Sequence, residues 1–161
     1  MAKLSGEKAA SYFQRSYTAI DGLWFMKVEE KYGFEAALEV DGEVWKVMPK
    51  IQARALKPMV GKERGLEALC ACLTTKFSLE DFCFKVRKEE GYLEIEIKKC
   101  PWLEIMVKSG RSHLAENVSG LICQVEHSAW ACEFGDIEFE IGERMCDGSK
   151  RCLLMFEVHI S

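Results

Sequence analysis

At Ser78 the spacing of apolar side chains changes, and nothing else in the chain constrains its fold as much. Before Ser78, apolar residues recur every three or four positions, the period of a helix. After it, Phe82, Phe84 and Val86 alternate with polar partners, the period of a half-buried strand. "EEG" then turns the chain, and Leu93, Ile95 and Ile97 alternate again, so this stretch reads as a hairpin.

On the helical side, Ser5 caps a helix from about Gly6 to Tyr17, and a second runs from about Ala19 to Tyr32 with Gly33 as its stop. "FEAALEVDGEVWKVMPKIQARALK" continues helically, with Pro49 kinking or splitting it. Pro58 and Gly61 end that stretch, and "KERGLEALCACLTTKF" supplies another helix. Beyond the hairpin, Pro101 opens a short helix that Gly110 closes, and residues 113–134 form the longest periodic segment of the second half. Ile137, Phe139 and Ile141 alternate as a strand, and Cys152, Leu154, Phe156, Val158 and Ile160 as the last one. The expected class is α+β: a helical part, 1–77, packed on a four-stranded antiparallel sheet with inserted helices, 78–161, in a single domain over 1–161.

Composition excludes several functions. With 161 residues, 48% hydrophobic and 30% charged, the chain is long enough and apolar enough for one real core. A net charge of -4 without a basic run argues against nucleic acid. The start, "MAKLSGEKAASYFQ", does not read as a signal peptide, and no window of 18 apolar residues suits a membrane span. The expected compartment is cytoplasmic. An apolar helical half carrying Trp24, Phe25, Trp45 and Met48 fits a homodimer.

A reducing compartment shifts the reading of the eight cysteines from disulfides to metal binding, catalysis or burial. Cys70 and Cys72 lie two apart on a helix, on different faces, and Cys83 lies in a strand; plain burial is expected for all three. Cys100 stands where a strand gives way to a helix, a position whose dipole favours thiolate. On the long helix, Cys123, Glu126, His127, Trp130 and Phe134 share one stripe, while Cys132 falls opposite with Leu121 and Val125, as in a helix that passes through the interior. A thiol, a carboxylate and an imidazole in one apolar stripe are costly to bury unless paired or bound to a metal. The alternative places Glu126 and His127 at the solvent edge. Cys146 and Cys152 flank an Asp147-Gly148 turn with five residues between them, a poor zinc-finger spacing, and Cys152 points inward from its strand. His113 and His159 read as structural or surface residues.

The order Cys100-Pro-Trp, Cys123-x-x-Glu126 and Gly148-x-x-x-Cys152 resembles the L-2-amino-thiazoline-4-carboxylic acid hydrolase-like family. That family's last element is Gly-x-x-x-Cys-x-Phe; here it reads "GSKRCLLMF", with the Phe four residues after the Cys. The architecture is also similar to 4-vinyl reductase-type small-molecule-binding domains. The resemblance implies that Cys100, Cys123, Glu126 and Cys152 converge on one pocket beneath the sheet.

Three functions follow as expectations. In a hydrolase of a small cyclic amidine or amide, the thiolate of Cys100 or Cys123 attacks carbon or activates water, and Glu126 or His127 moves the proton. Lys98, Lys99 or Arg144 would hold a substrate carboxylate. A metal version uses Cys100, Cys123, His127 and Cys152 as ligands for zinc or iron. In a binding or sensor domain, Trp24, Trp102 and Trp130 line a pocket that holds a hydrophobic small-molecule ligand or a metal without turnover. The third is redox sensing through Cys146 and Cys152.

Overall fold

The computed structural model describes residues 4–158, which form an α+β fold whose helices lie mostly in the N-terminal half. The chain divides into two compact units, Met1–Asp41 and Gly42–Ser161. In the first unit, α1 (Gly6–Tyr32) is one helix where the sequence suggested two. Neither Gly nor Pro interrupts it near Tyr17, and the Thr18 hydroxyl donates back to the Gln14 carbonyl at 3.1 Å within the continuous helix. Ser5 caps its start by accepting from the Lys8 N–H, and Gly33 ends it. Phe25 meets Phe34 edge-on across the turn into α2 (Phe34–Trp45).

The second unit begins within α2. Pro49 splits the helical stretch as expected: α2 ends at Trp45 and α3 (Met48–Val60) starts with proline in its first turn, where no N–H is needed. Pro58, however, lies inside α3, and Gly61 alone closes that helix with a φ of 67° that L side chains rarely adopt. Helix α4 (Gly65–Leu79) leads into the hairpin of β1 (Cys83–Glu89) and β2 (Tyr92–Lys99). Then come α5 (Pro101–Lys108), α6 (Ala115–Phe134), β3 (Ile137–Ile141) and β4 (Cys152–Val158). The expected strand end at Ile160, and His159, lie outside the described residues.

The four strands form one antiparallel sheet in the order β1-β2-β4-β3. The chain therefore leaves β2, builds two helices, and returns so that β4 pairs beside β2, with Leu93 opposite Phe156 and Ile97 opposite Cys152. Leu93, Ile95, Ile97, Leu154 and Phe156 turn one face of the sheet into the core. Ala53 and Leu56 of α3, Leu69, Cys72, Leu73 and Phe77 of α4, and Trp130 and Phe134 of α6 cover that face. Arg54 and Lys57 of α3 join α6 by donating to the Glu133 carboxylate and carbonyl, each at 2.7 Å.

This packing sorts the cysteines. Helix α4 touches α3, α6 and the sheet, so Cys70 and Cys72 are both buried although they point different ways. Cys83 and Cys132 are exposed, contrary to expectation. Cys83 occupies a register irregularity at the start of the edge strand β1. Cys132 shares the outer side of α6 with Leu121, which is also exposed, so α6 borders the interior and does not run through it. Serine in place of Cys72 puts an unsatisfied hydroxyl into the core and should cost about 1–3 kcal/mol, whereas Cys132→Ser should change stability by less than about 0.5 kcal/mol. Urea denaturation of the two variants checks this, and equal effects would contradict the packing described.

Candidate functional site

The stripe on α6 faces inward: Glu126 and His127 retain only 8% and 5% of their exposure, which rules out a solvent-edge position. What meets Glu126 is a lysine the sequence reading passed over. Lys76, 3% exposed, lies 2.8 Å from Glu126 Oε1 and donates from Nζ to Glu80 Oε2 at 3.0 Å. The Trp102 indole N–H donates to the same Glu80 oxygen at 3.4 Å. A buried ammonium is thus held between two buried carboxylates. Burial alone would drive each group toward its neutral form.

The three charges settle this conflict unequally. For Lys76, desolvation works against the ammonium, but Glu126 and Glu80 together raise its pKa above the ordinary value. For Glu126, burial opposes ionisation and Lys76 overcomes it, holding the carboxyl below its usual range. For Glu80, burial wins; Lys76 pulls downward, the charge of Glu126 pushes upward, and the carboxyl is raised. Two carboxylates facing one ammonium leave an excess negative charge, and that excess adds to the upward shift of Glu80.

Next to this triad stands His127. Its Nδ1 lies 2.7 Å from the Cys123 carbonyl one turn earlier. A carbonyl only accepts, so Nδ1 carries the proton and Nε2 presents a lone pair. That Nε2 is buried and has no hydrogen-bond partner among the described residues; the same holds for the Trp130 indole N–H. The imidazole stacks on Phe139 with centroids 5.3 Å apart and lies 6.0 Å from Phe77. Desolvation in this aromatic setting, partly offset by Glu126, lowers its pKa and keeps it neutral.

Cys100, Cys146 and Cys152 lie near enough to Cys123 to act on it electrostatically, and Glu126 acts on Cys123 and Cys100. Cys123 on α6 is pushed well above the ordinary thiol value by burial first, then by the proximity of Cys100, Glu126, Cys152 and Cys146. Cys100, just before α5, was expected to be acidified there. The Leu103 and Trp102 N–H groups do pull downward, but burial outweighs them and Cys152 adds to it, so the thiol is pushed up to about 11. Cys152 accepts from the Met145 N–H at 3.2 Å, and its thiol is also raised, chiefly by burial. Cys146 lies in the short turn Met145–Asp147, points its S–H at Asp147 Oδ1 at 3.4 Å, and is pushed up to about 11. All eight cysteines are free thiols.

Of the candidate residues, Cys123 on α6 thus interacts electrostatically with Cys100 just before α5, with Glu126 on its own helix and with Cys152 on β4. Other candidates are engaged elsewhere. Lys98 pairs with Glu96 at 3.7 Å, Lys99 with Glu104 at 3.8 Å and Arg144 with Asp147 at 2.7 Å, so each already faces a carboxylate. Trp24 is 64% exposed on α1 and Trp130 is fully buried, whereas Trp102 packs edge-on against Trp45. His113 is exposed in a single 3₁₀ turn. Among the described residues, no group of three or more His, Cys, Asp or Glu side chains is arranged to hold a metal ion. The donor readiest for one is His127 Nε2, because a ring whose Nδ1–H is held by a backbone carbonyl offers its other nitrogen.

Lys76 and Glu80 carried a readable signal. Leu69, Cys72, Leu73, Lys76 and Glu80 recur at helical spacing, which places a lysine and a glutamate four apart in an apolar stripe.

The chain belongs to a family of unknown function, DUF6125, whose model matches residues 6–134. The match spans Lys76, Glu80, Cys100, Cys123, Glu126 and His127 and stops short of Cys146 and Cys152. No curated protein and no solved structure matches the chain. No helix among the described residues is long and apolar enough to cross a membrane.

Removing the ammonium alone leaves two uncompensated buried carboxylates, so Lys76→Met should cost about 3–5 kcal/mol. The triple variant Lys76→Met, Glu80→Gln, Glu126→Gln should recover most of that loss. Chemical denaturation tests the pair of outcomes; a triple variant no more stable than Lys76→Met would show that the three groups do not act as one unit.

Proposed function

We propose that the chain is a non-catalytic binding domain for a small neutral or cationic molecule that donates hydrogen bonds. The observation that carries this reading is the Glu80–Lys76–Glu126 triad, which presents two buried carboxylates against one ammonium. Such a centre repels an anion and favours an occupant carrying N–H groups. His127 adds an acceptor lone pair that nothing among the described residues satisfies. An amidine or a similar planar donor has the charge and the hydrogen-bonding groups for that combination.

The hydrolase reading has less support. A thiol nucleophile works as thiolate, and burial holds Cys100 and Cys123 on the protonated side. The neutral imidazole has the lone pair a base needs on Nε2, but no thiol among the described residues hydrogen-bonds to it. The basic residues that could bind a substrate carboxylate are paired with Glu96, Glu104 and Asp147. These features also weaken the case for the acid that names the resembled family. A zinc or iron reading through Cys100, Cys123, His127 and Cys152 would require those thiols to ionise on binding.

Two probes separate these readings: 2-aminothiazoline, a cyclic amidine without a carboxylate, and its 4-carboxylic acid. The amidine should raise the melting temperature in a saturable manner, the acid should do so less, and neither ring should open. Ring opening of the acid, lost in Cys123→Ser, would overturn the proposal in favour of a hydrolase. Stoichiometric zinc or iron in the purified protein, lost in Cys100→Ser and Cys123→Ser alike, would overturn it in favour of a metal site.

A further inference from the structure

Helix α1 has two apolar sides, and only one of them is covered. Tyr17, Phe25 and Val28 lie half-buried on the inner side, where Phe25 meets Phe34. On the outer side, Phe13, Ile20 and Trp24 remain 68%, 67% and 64% exposed, with Tyr12 and Leu23 beside them at 64% and 55%. No residue of this 27-residue helix is fully buried.

The bare side has a definite period. Ala9, Phe13, Ser16, Ile20 and Leu23 follow one another at alternating steps of four and three, and the series continues through Lys27 and Glu30. Steps of this kind keep one seam in line along a partner helix. The seam is also self-complementary when two copies run antiparallel about a two-fold axis near Thr18. Phe13 then opposes Leu23 of the second copy and Ile20 opposes Ser16, a large side chain meeting a small one. At each end, Glu30 of one copy comes beside Lys8 and the positive amino end of the other's α1.

Charge points the same way. Lys8, Arg15, Lys27 and Lys31 balance Glu7, Asp21, Glu29 and Glu30, so α1 has no net charge to oppose self-association or to draw it to an anionic surface. The five exposed apolar side chains present roughly 600 Å², most of the about 800 Å² per partner that a stable interface buries.

We propose that α1 is a dimerisation helix whose outer seam, centred on Phe13, Ile20 and Leu23, pairs antiparallel with the same seam of a second copy of this chain. The interface is isologous, so each seam residue is used twice. Introducing one charge into it therefore acts twice per dimer.

Sedimentation equilibrium of the full chain tests this, with far-UV circular dichroism confirming that each variant keeps its helices. The wild type should dimerise, and Ile20→Glu should raise its dissociation constant at least about tenfold. Lys8→Glu should weaken the dimer, and adding Glu30→Lys should restore it. A double variant, Phe13→Cys with Leu23→Cys, should oxidise to a link joining position 13 of one copy to position 23 of the other, identified by peptide mapping. The native cysteines all follow residue 69 and do not confuse that assignment. A wild type that stays monomeric at every concentration, a dimer indifferent to Ile20→Glu, or a link joining position 13 to position 13 would each overturn the proposal.

Discussion

Lys76 is the constraint around which the second unit is organised. An ammonium enters a protein interior only where carboxylates can neutralise it, and here they come from two places. Glu80 follows at the end of the same helix, and Glu126 arrives from α6, fifty residues later. The ion pair fixes how α4 and α6 face each other, and both helices then cover the inner face of the sheet. The hydrocarbon around the triad (Phe77, Phe82 and the indole of Trp102) keeps water away and makes each charge depend on the others.

The same exclusion of water decides the character of the thiols. A helix start lowers a thiol's pKa only when the thiolate keeps some contact with solvent or with a cation. Cys100 has two backbone donors but also burial, a second thiol and a carboxylate near it, and those prevail. Cys123 is worse placed, with three thiols and Glu126 around it. Of the cations nearby, Lys76 is already committed to Glu80 and Glu126, and Arg144 to Asp147. Convergence of sulfur atoms is therefore not evidence of reactivity; the surroundings determine which protonation state the sulfur keeps.

Much of this was legible before any coordinates. The change of period at Ser78, Pro49 as a helix divider and the shared stripe of Cys123, Glu126, His127 and Trp130 follow from local spacing, whereas which way that stripe faces does not. The sequence suggests two helices where α1 is unbroken because Tyr17 and Thr18 only resemble a boundary; a propensity dip without Gly or Pro does not end a helix. The exposure of Cys83 and Cys132 departs from expectation because an apolar residue type does not say which side of an edge strand or a border helix is covered. The partnership of Lys76 with Glu126 could not be read, since it depends on how α4 meets α6. The presence of Lys76 in an apolar stripe could have been.

Carbon-detected titration of the side-chain carboxyls by nuclear magnetic resonance tests the central claim most directly. One lysine shared by two buried carboxylates should split their behaviour: Glu126 titrating below the ordinary glutamate value, Glu80 above it, and both moving when Lys76 is replaced by methionine. If the two carboxyls titrate together near the ordinary value, the interior is open to water and Lys76 does not organise it.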